Sequence, residues 1–153
     1  MKRSAALTPL SEDHHHALVI ASVLNRASAA TARSSAMLFA DFIAEHETVH
    51  FALEESLLLP ALPAGARGRK LAERVREDHR YLRHAAREIE TSGERPSVTT
   101  LTQIGTRLRA HVQLEERELF PYLEDSLTPI LLEQLGAKLR DREAGIESAA
   151  SPT

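Results

Sequence analysis

The chain has 153 residues, of which 42% are hydrophobic, so it is long enough to bury one substantial core. Its formal net charge is -3, with acidic and basic residues interspersed, which argues against a nucleic-acid or anionic-membrane partner. The chain contains no cysteine, which excludes disulfides, thiolate metal sites and iron–sulfur clusters, so any bound metal must be held by nitrogen and oxygen atoms.

Apolar residues recur every three or four positions along the chain, which predicts an all-α protein. Ser11 is the predicted N-cap of the first helix, and Pro60 ends the second. Four long helices joined by short loops are predicted, at about residues 11–27, 34–59, 67–91 and 97–120. This pattern is typical of an antiparallel up-and-down four-helix bundle.

A shorter fifth helix is predicted after the bundle, over "PILLEQLGAKLRDRE". Thr128 is suited to its N-cap and Pro129 to its first helical position. We expect residues 1–145 to form one domain and residues 146–153 a flexible tail. Since no stretch approaches the length that spans a membrane, we expect a soluble cytoplasmic protein.

Two segments of the chain are closely similar, "HFALEESLLLP" and "HVQLEERELFP", with six of eleven positions identical. In each, a histidine is followed four residues later by a glutamate, and such residues lie only ~40° apart around a helix. Two pairs therefore project inward with their apolar neighbours: His50 with Glu54, and His111 with Glu115. An unpaired carboxylate in a core is costly, so these pairs call for a positively charged partner.

The glutamates that follow, Glu55 and Glu116, lie five residues after the histidines and are therefore turned away from the pairs. We expect them on the flank of the site, either solvated or supporting the ligands. Replacing Glu55 is accordingly expected to have little effect.

A second repeat, "EDH", ends at His14 and at His79. Both histidines continue apolar stripes of their helices, so each of the four helices directs one histidine inward. The run "HHH" leaves the first-helix residue open between His14 and His15, with His14 favoured because its stripe is the more apolar.

Each of these residues has an ordinary structural explanation when taken alone, as a core histidine or as a helix-stabilising pair. The six residues together have no such ordinary explanation. Burying four imidazoles and two carboxylates without a cation would cost several kcal/mol, against a typical total stability of roughly 5–15 kcal/mol. A bound metal supplies the missing positive charge.

Imidazole and carboxylate ligands suit iron, zinc, manganese or copper, and two carboxylates that can bridge indicate a pair of ions, with iron favoured. Two such ions offer about twelve ligand positions, of which the histidines, the bridging glutamates and a bridging oxo or hydroxo group fill about ten. The open positions are where dioxygen, peroxide or nitric oxide would bind.

Over about residues 10–125 the sequence resembles the hemerythrin-like, or HHE cation-binding, domains. The matching stretches are "LSEDHHHAL", "HFALEESLLLP", "EDHRYLRHA" and "HVQLEERELFP". The resemblance implies a four-helix bundle around a non-haem di-iron centre. The ligands that it implies are a histidine of the "HHH" run, His50, Glu54, His79, His111 and Glu115.

The chain departs from the oxygen-carrying members of this family on the third helix. There the residue four after His79 is Arg83, where the carriers have a second ligand histidine, and His84 is expected at the surface. His46, four residues before His50 on the same face, is a further candidate ligand.

The expected function is that of a di-iron protein that binds, senses or stores dioxygen or a related small oxidant. One alternative is a di-iron redox enzyme that consumes peroxide or nitric oxide, which the missing third-helix histidine favours over a pure oxygen carrier. Another is a metal-free helical interaction module. A haem bundle would not need the two glutamates. The oligomeric state is not indicated by the sequence.

Overall fold

The computed structural model describes residues 2–150, which form a helical bundle with no strand among them. The α-helices are α1 Thr8–Asn25, α2 Ala32–His46, α3 Ala66–Ser92, α4 Val98–Leu114, α5 Phe120–Ser126 and α6 Pro129–Ala150. The prediction of an all-α bundle with an additional C-terminal helix is confirmed. No helix in this part of the chain is both long and apolar enough to cross a bilayer.

The two repeated segments contain wide helical turns. After α2 come two π-helical segments, Glu47–Phe51 and Glu54–Leu58, and a 3₁₀ turn, Leu59–Ala61. A third π segment, Glu115–Leu119, connects α4 to α5. In both repeats the residue before the proline donates its backbone N–H to the carbonyl of the ligand-pair glutamate five positions earlier.

The proline of each repeat gives a physical reason for these turns. In an α-helix its ring would clash with the carbonyl four residues earlier, and it has no N–H to donate. A π turn is wider and gives the proline ring more room, and such turns are frequent at functional sites. The fourth helix is predicted to end at about residue 120, but helical structure continues past Pro121, because α5 extends to Ser126.

Some helix ends differ from the predictions. Helix α1 begins at Thr8, with Pro9 in its first turn, and Ser11 is not its cap. Ser97 does cap α4, since its hydroxyl accepts a hydrogen bond from the Thr100 N–H at 3.0 Å. Helix α6 extends to Ala150, so residues 146–150 of the expected tail are helical, while residues 151–153 lie outside the described part of the chain.

The core consists of two apolar clusters with a polar layer between them. On α1, Leu10 belongs to one cluster and Ala17 to the other. On α3, Val75 belongs to the cluster of Leu10, and Leu82 belongs to the cluster of Ala17. The histidines of the "EDH" repeat lie between these residues, so the bundle holds them at mid-height, away from both ends.

Helices α1 and α4 approach each other closely at Gly105. A Cβ atom at this position would lie 2.8 Å from the Ala21 carbonyl oxygen and 2.9 Å from the Leu24 Cβ. Since no other residue lacks a Cβ, glycine permits this approach, which sets the spacing between the first and fourth helices within the apolar cluster that includes Ala17.

Candidate metal centre

Six side chains of the polar layer are 0–3% exposed and lie together: His14, His50, Glu54, His79, His111 and Glu115. They form two groups, and within each group the ligand atoms all lie within 4.8 Å of one another. We call the group of His14 and His50 the first metal position and the group of His79 and His111 the second. Both glutamates belong to both groups, so this arrangement can hold two adjacent ions.

The facing atoms of this cluster lack ordinary partners. Within residues 2–150, the Nε2 atoms of all four histidines and all four carboxylate oxygens of the two glutamates are buried without a hydrogen bond. Their closest N–O distances are nevertheless 2.8–3.3 Å. Two ligands at right angles around an ion with bonds of ~2.1 Å lie ~3.0 Å apart. The donor spacing therefore fits neighbouring ligands of a metal ion.

The opposite nitrogen, Nδ1, of each histidine contacts a carboxylate. The contacts are His14 with Glu116 at 2.6 Å, His50 with Asp13 at 3.0 Å, His79 with Glu55 at 2.7 Å, and His111 with Asp78 at 3.3 Å. An ionised carboxylate only accepts, so Nδ1–H donates, and the lone pair of Nε2 is left facing the cluster. That is the tautomer that metal binding through Nε2 requires.

These four carboxylates are chain neighbours of the ligand candidates. Asp13 and Asp78 come directly before a histidine, and Glu55 and Glu116 directly after a glutamate. The expectation that Glu55 and Glu116 are turned well away assumed α-helical geometry. The π turns that begin at the preceding glutamates change the direction of these two side chains, and both contact a ligand histidine.

Arg83 stands behind the second metal position. Its Nη1 donates to Glu55 at 2.8 Å, and its guanidinium lies 5.4 Å from the centre of the Phe51 ring. That ring is in turn stacked on His79 at 3.8 Å. Arg83 therefore supports His79 by two routes, through the carboxylate and through the aromatic ring.

Arg3 has the same role at the first metal position. Its Nη2 donates to Glu116 at 2.7 Å, and its guanidinium lies 5.1 Å from the centre of the Phe120 ring, which is stacked on His14 at 5.5 Å. No local signal in the sequence marks this role of Arg3, because its partner Glu116 lies 113 positions along the chain. The aspartates of "EDH" could have been found, since the repeat includes them.

Two candidate ligands from the sequence lie outside both groups. His15 is exposed on α1. His46 is partly buried, and its ring is stacked on that of His50 at 4.0 Å, where it does not converge with the ligand atoms. Burial and the neighbouring His50 charge lower the pKa of His46. As expected, His84 is at the surface, with its side chain 75% exposed.

Without an ion, protons would take its place in this cluster. Burial lowers the pKa of His50, but Glu54 and Asp13 outweigh it and raise that pKa to about 10. The pKa values of His14 and His79 are likewise raised to about 9, because the glutamates in contact with each outweigh burial. The cluster thus attracts positive charge, and a binding metal displaces these protons.

A family model for the hemerythrin HHE cation binding domain matches residues 6–123, which include every residue of both metal positions. The chain belongs to the hemerythrin HHE cation-binding family. No curated protein and no solved structure matches it. Metal-ion binding is the property that this family name states, and the buried histidines and glutamates of this hemerythrin domain fit such a site.

Proposed function

We propose that this hemerythrin domain binds two iron ions and handles dioxygen or a related small oxidant, by binding, sensing or storage. The observation that carries the proposal is the sharing of Glu54 and Glu115 between two buried groups of donors. Buried carboxylates and imidazoles with unpartnered atoms are costly unless a cation joins them.

The orientation of Glu54 supports a pair of ions. Its Oε1 lies 2.8 Å from the His50 Nε2, and its Oε2 lies 3.2 Å from the His79 Nε2. One oxygen thus faces each metal position, so Glu54 would be able to hold both ions. Imidazole with carboxylate suits several transition metals, and the family resemblance favours iron.

A ferrous pair, when bound, supplies electrons to an oxidant. The chain's own residues orient the ligands and exclude water. Hydrogen bonds at Nδ1 fix the four imidazole rings, and the Phe51 and Phe120 rings cover His79 and His14. A dry, rigid site strengthens the attraction between ligands and ions.

Metal analysis tests this proposal most directly. Protein produced with iron available should hold about two irons per chain, with an optical spectrum that changes on reduction. Glu54→Ala and Glu115→Ala should each lose iron, because each removes a ligand shared by both positions. Glu118→Ala is the matched control, since Glu118 lies in the same π segment as Glu115 but its side chain is 52% exposed. Full iron content in Glu54→Ala and Glu115→Ala would refute the site.

A redox enzyme that consumes peroxide or nitric oxide is the second candidate. Arg83 favours it, because its side chain is paired with Glu55 and Glu47 and adds no ligand to the second position. With His46 also outside both groups, the ligand count leaves about two open positions in the proposed centre. More open positions favour electron transfer to the oxidant over reversible binding.

Stopped-flow absorbance separates reversible binding of dioxygen from oxidation of the centre. After reduced protein is mixed with dioxygen, we expect oxidation to a stable di-ferric form. If the new band instead disappears when dioxygen is removed, and the iron returns to the ferrous state over repeated cycles, the protein binds dioxygen reversibly and the enzyme is excluded.

A further inference from the structure

The aspartates behind the two metal positions differ in how firmly they are held. Asp78, which contacts His111, has its side chain 13% exposed and accepts a hydrogen bond from the Arg107 Nε at 2.6 Å. Asp13, which contacts His50, has its side chain 49% exposed. Among residues 2–150, His50 is the one ion-pair partner of Asp13. The first position is therefore less well supported than the second.

The aromatic covering differs in the same direction. The Phe51 ring is stacked on His79 at 3.8 Å and lies edge-on to His111 at 5.9 Å, so one apolar ring covers both histidines of the second position. At the first position, Phe120 lies 5.5 Å from His14, and the ring stacked on His50 is the partly buried His46. The apolar covering of the first position is therefore looser than that of the second.

A cavity of about 240 Å³ lies beside the first position, between α1, α6 and the end of α2. His46, His50 and Asp13 line it together with three further acidic residues, Glu45, Glu143 and Glu147. Such a lining concentrates cations. Behind the second position both carboxylates are paired with arginines, Glu55 with Arg83 and Asp78 with Arg107. Behind the first position Arg3 pairs with Glu116, but no arginine is paired with Asp13 among residues 2–150.

We propose that the ion at the first metal position exchanges with solvent faster than the ion at the second, and that divalent cations reach the centre through this acidic cavity. The inference rests on the proposed two-ion centre. Each position has two histidines and the same two glutamates, so the ligands alone do not indicate which ion is loaded or released first. The second ion is correspondingly the one that stays with the protein.

Release kinetics test the order. Protein loaded anaerobically with two equivalents of Fe²⁺ is mixed with an excess of a chromogenic ferrous chelator. We expect two phases, each of one iron per chain. Asp13→Ala should accelerate the fast phase by about 10- to 100-fold and leave the slow phase unchanged, whereas Asp78→Ala should accelerate the slow phase. Thermal unfolding of both variants checks that they are folded.

Uptake kinetics test the route. Glu143→Lys reverses a charge at the cavity and should slow the loading of Fe²⁺ several-fold at low ionic strength. Glu133→Lys, an exposed change elsewhere on α6, is the matched control. Equal loading rates in these two variants would overturn the route.

The outcomes for the two proposals are distinct. Two irons released in a single phase, or an acceleration of the slow phase by Asp13→Ala, would overturn the order of exchange and leave the two-ion centre intact. A wild-type protein that binds fewer than two irons would overturn the centre itself.

Discussion

At the scale of single residues, Glu55 contacts a candidate ligand, His79. Its carboxylate accepts hydrogen bonds from the His79 Nδ1 at 2.7 Å and from Arg83 at 2.8 Å. These hydrogen bonds outweigh the effect of burial and lower the pKa of Glu55 to about 2. The sequence led us to expect little from its replacement, because α-helical geometry turns it away from the pairs. The π turn changes that expectation.

Glu55→Ala should lower the affinity for metal by about 10- to 100-fold, because the His79 ring loses the partner that orients it. Competition with a chelating dye measures this change. Glu47→Ala is the matched control, since Glu47 also pairs with Arg83, at 2.9 Å, but contacts no ligand histidine. Equal affinities in the two variants would show that Glu55 has no positioning role.

At the scale of the helices, the close approach of α1 and α4 is the contact most sensitive to substitution. Gly105→Ala should destabilise the protein by about 1–3 kcal/mol, because the added methyl group would overlap the backbone and Leu24 of α1. Urea unfolding of the metal-free protein measures the change without a contribution from the ions.

Gly145→Ala is the control for this prediction. Gly145 also lies within a helix, but a Cβ atom there would have no neighbour within 4 Å. Alanine should be neutral or stabilise by up to about 1 kcal/mol, because it reduces the entropy of the unfolded chain. A similar loss at both positions would indicate that helix packing is not the cause.

At the scale of the whole molecule, we expect the polar layer to link metal binding to folding. Its donors come from α1, from the π segments after α2, from α3, and from α4 with the π segment that follows it, so ions bound there would hold the bundle together. An ion present at 100 times its Kd stabilises the folded state by about 2.7 kcal/mol. For a chain of this size, each kcal/mol raises the Tm by about 2–4 °C.

Removal of the metal should therefore lower the Tm by at least about 5 °C, measured by circular dichroism with and without a chelator. A double variant, Glu54→Ala with Glu115→Ala, should give the same Tm in both conditions. If the wild-type Tm does not change with chelator, the layer does not couple metal binding to stability.

The sequence alone indicates the all-α fold, the family and the two histidine–glutamate pairs at an offset of four residues. These features are local. Apolar periodicity and the offset of four are properties of a single helix, so His50 with Glu54 and His111 with Glu115 can be predicted without any knowledge of packing.

Only the tertiary structure shows that His14 lies in the buried cluster while His15 is exposed, that His46 lies outside both groups, and which carboxylate contacts each histidine. These features depend on how the helices pack and where the π turns open, and both are set by contacts between distant residues. Arg3 is the clearest case, because it supports His14 through Glu116, 113 positions away, and no local pattern encodes that contact.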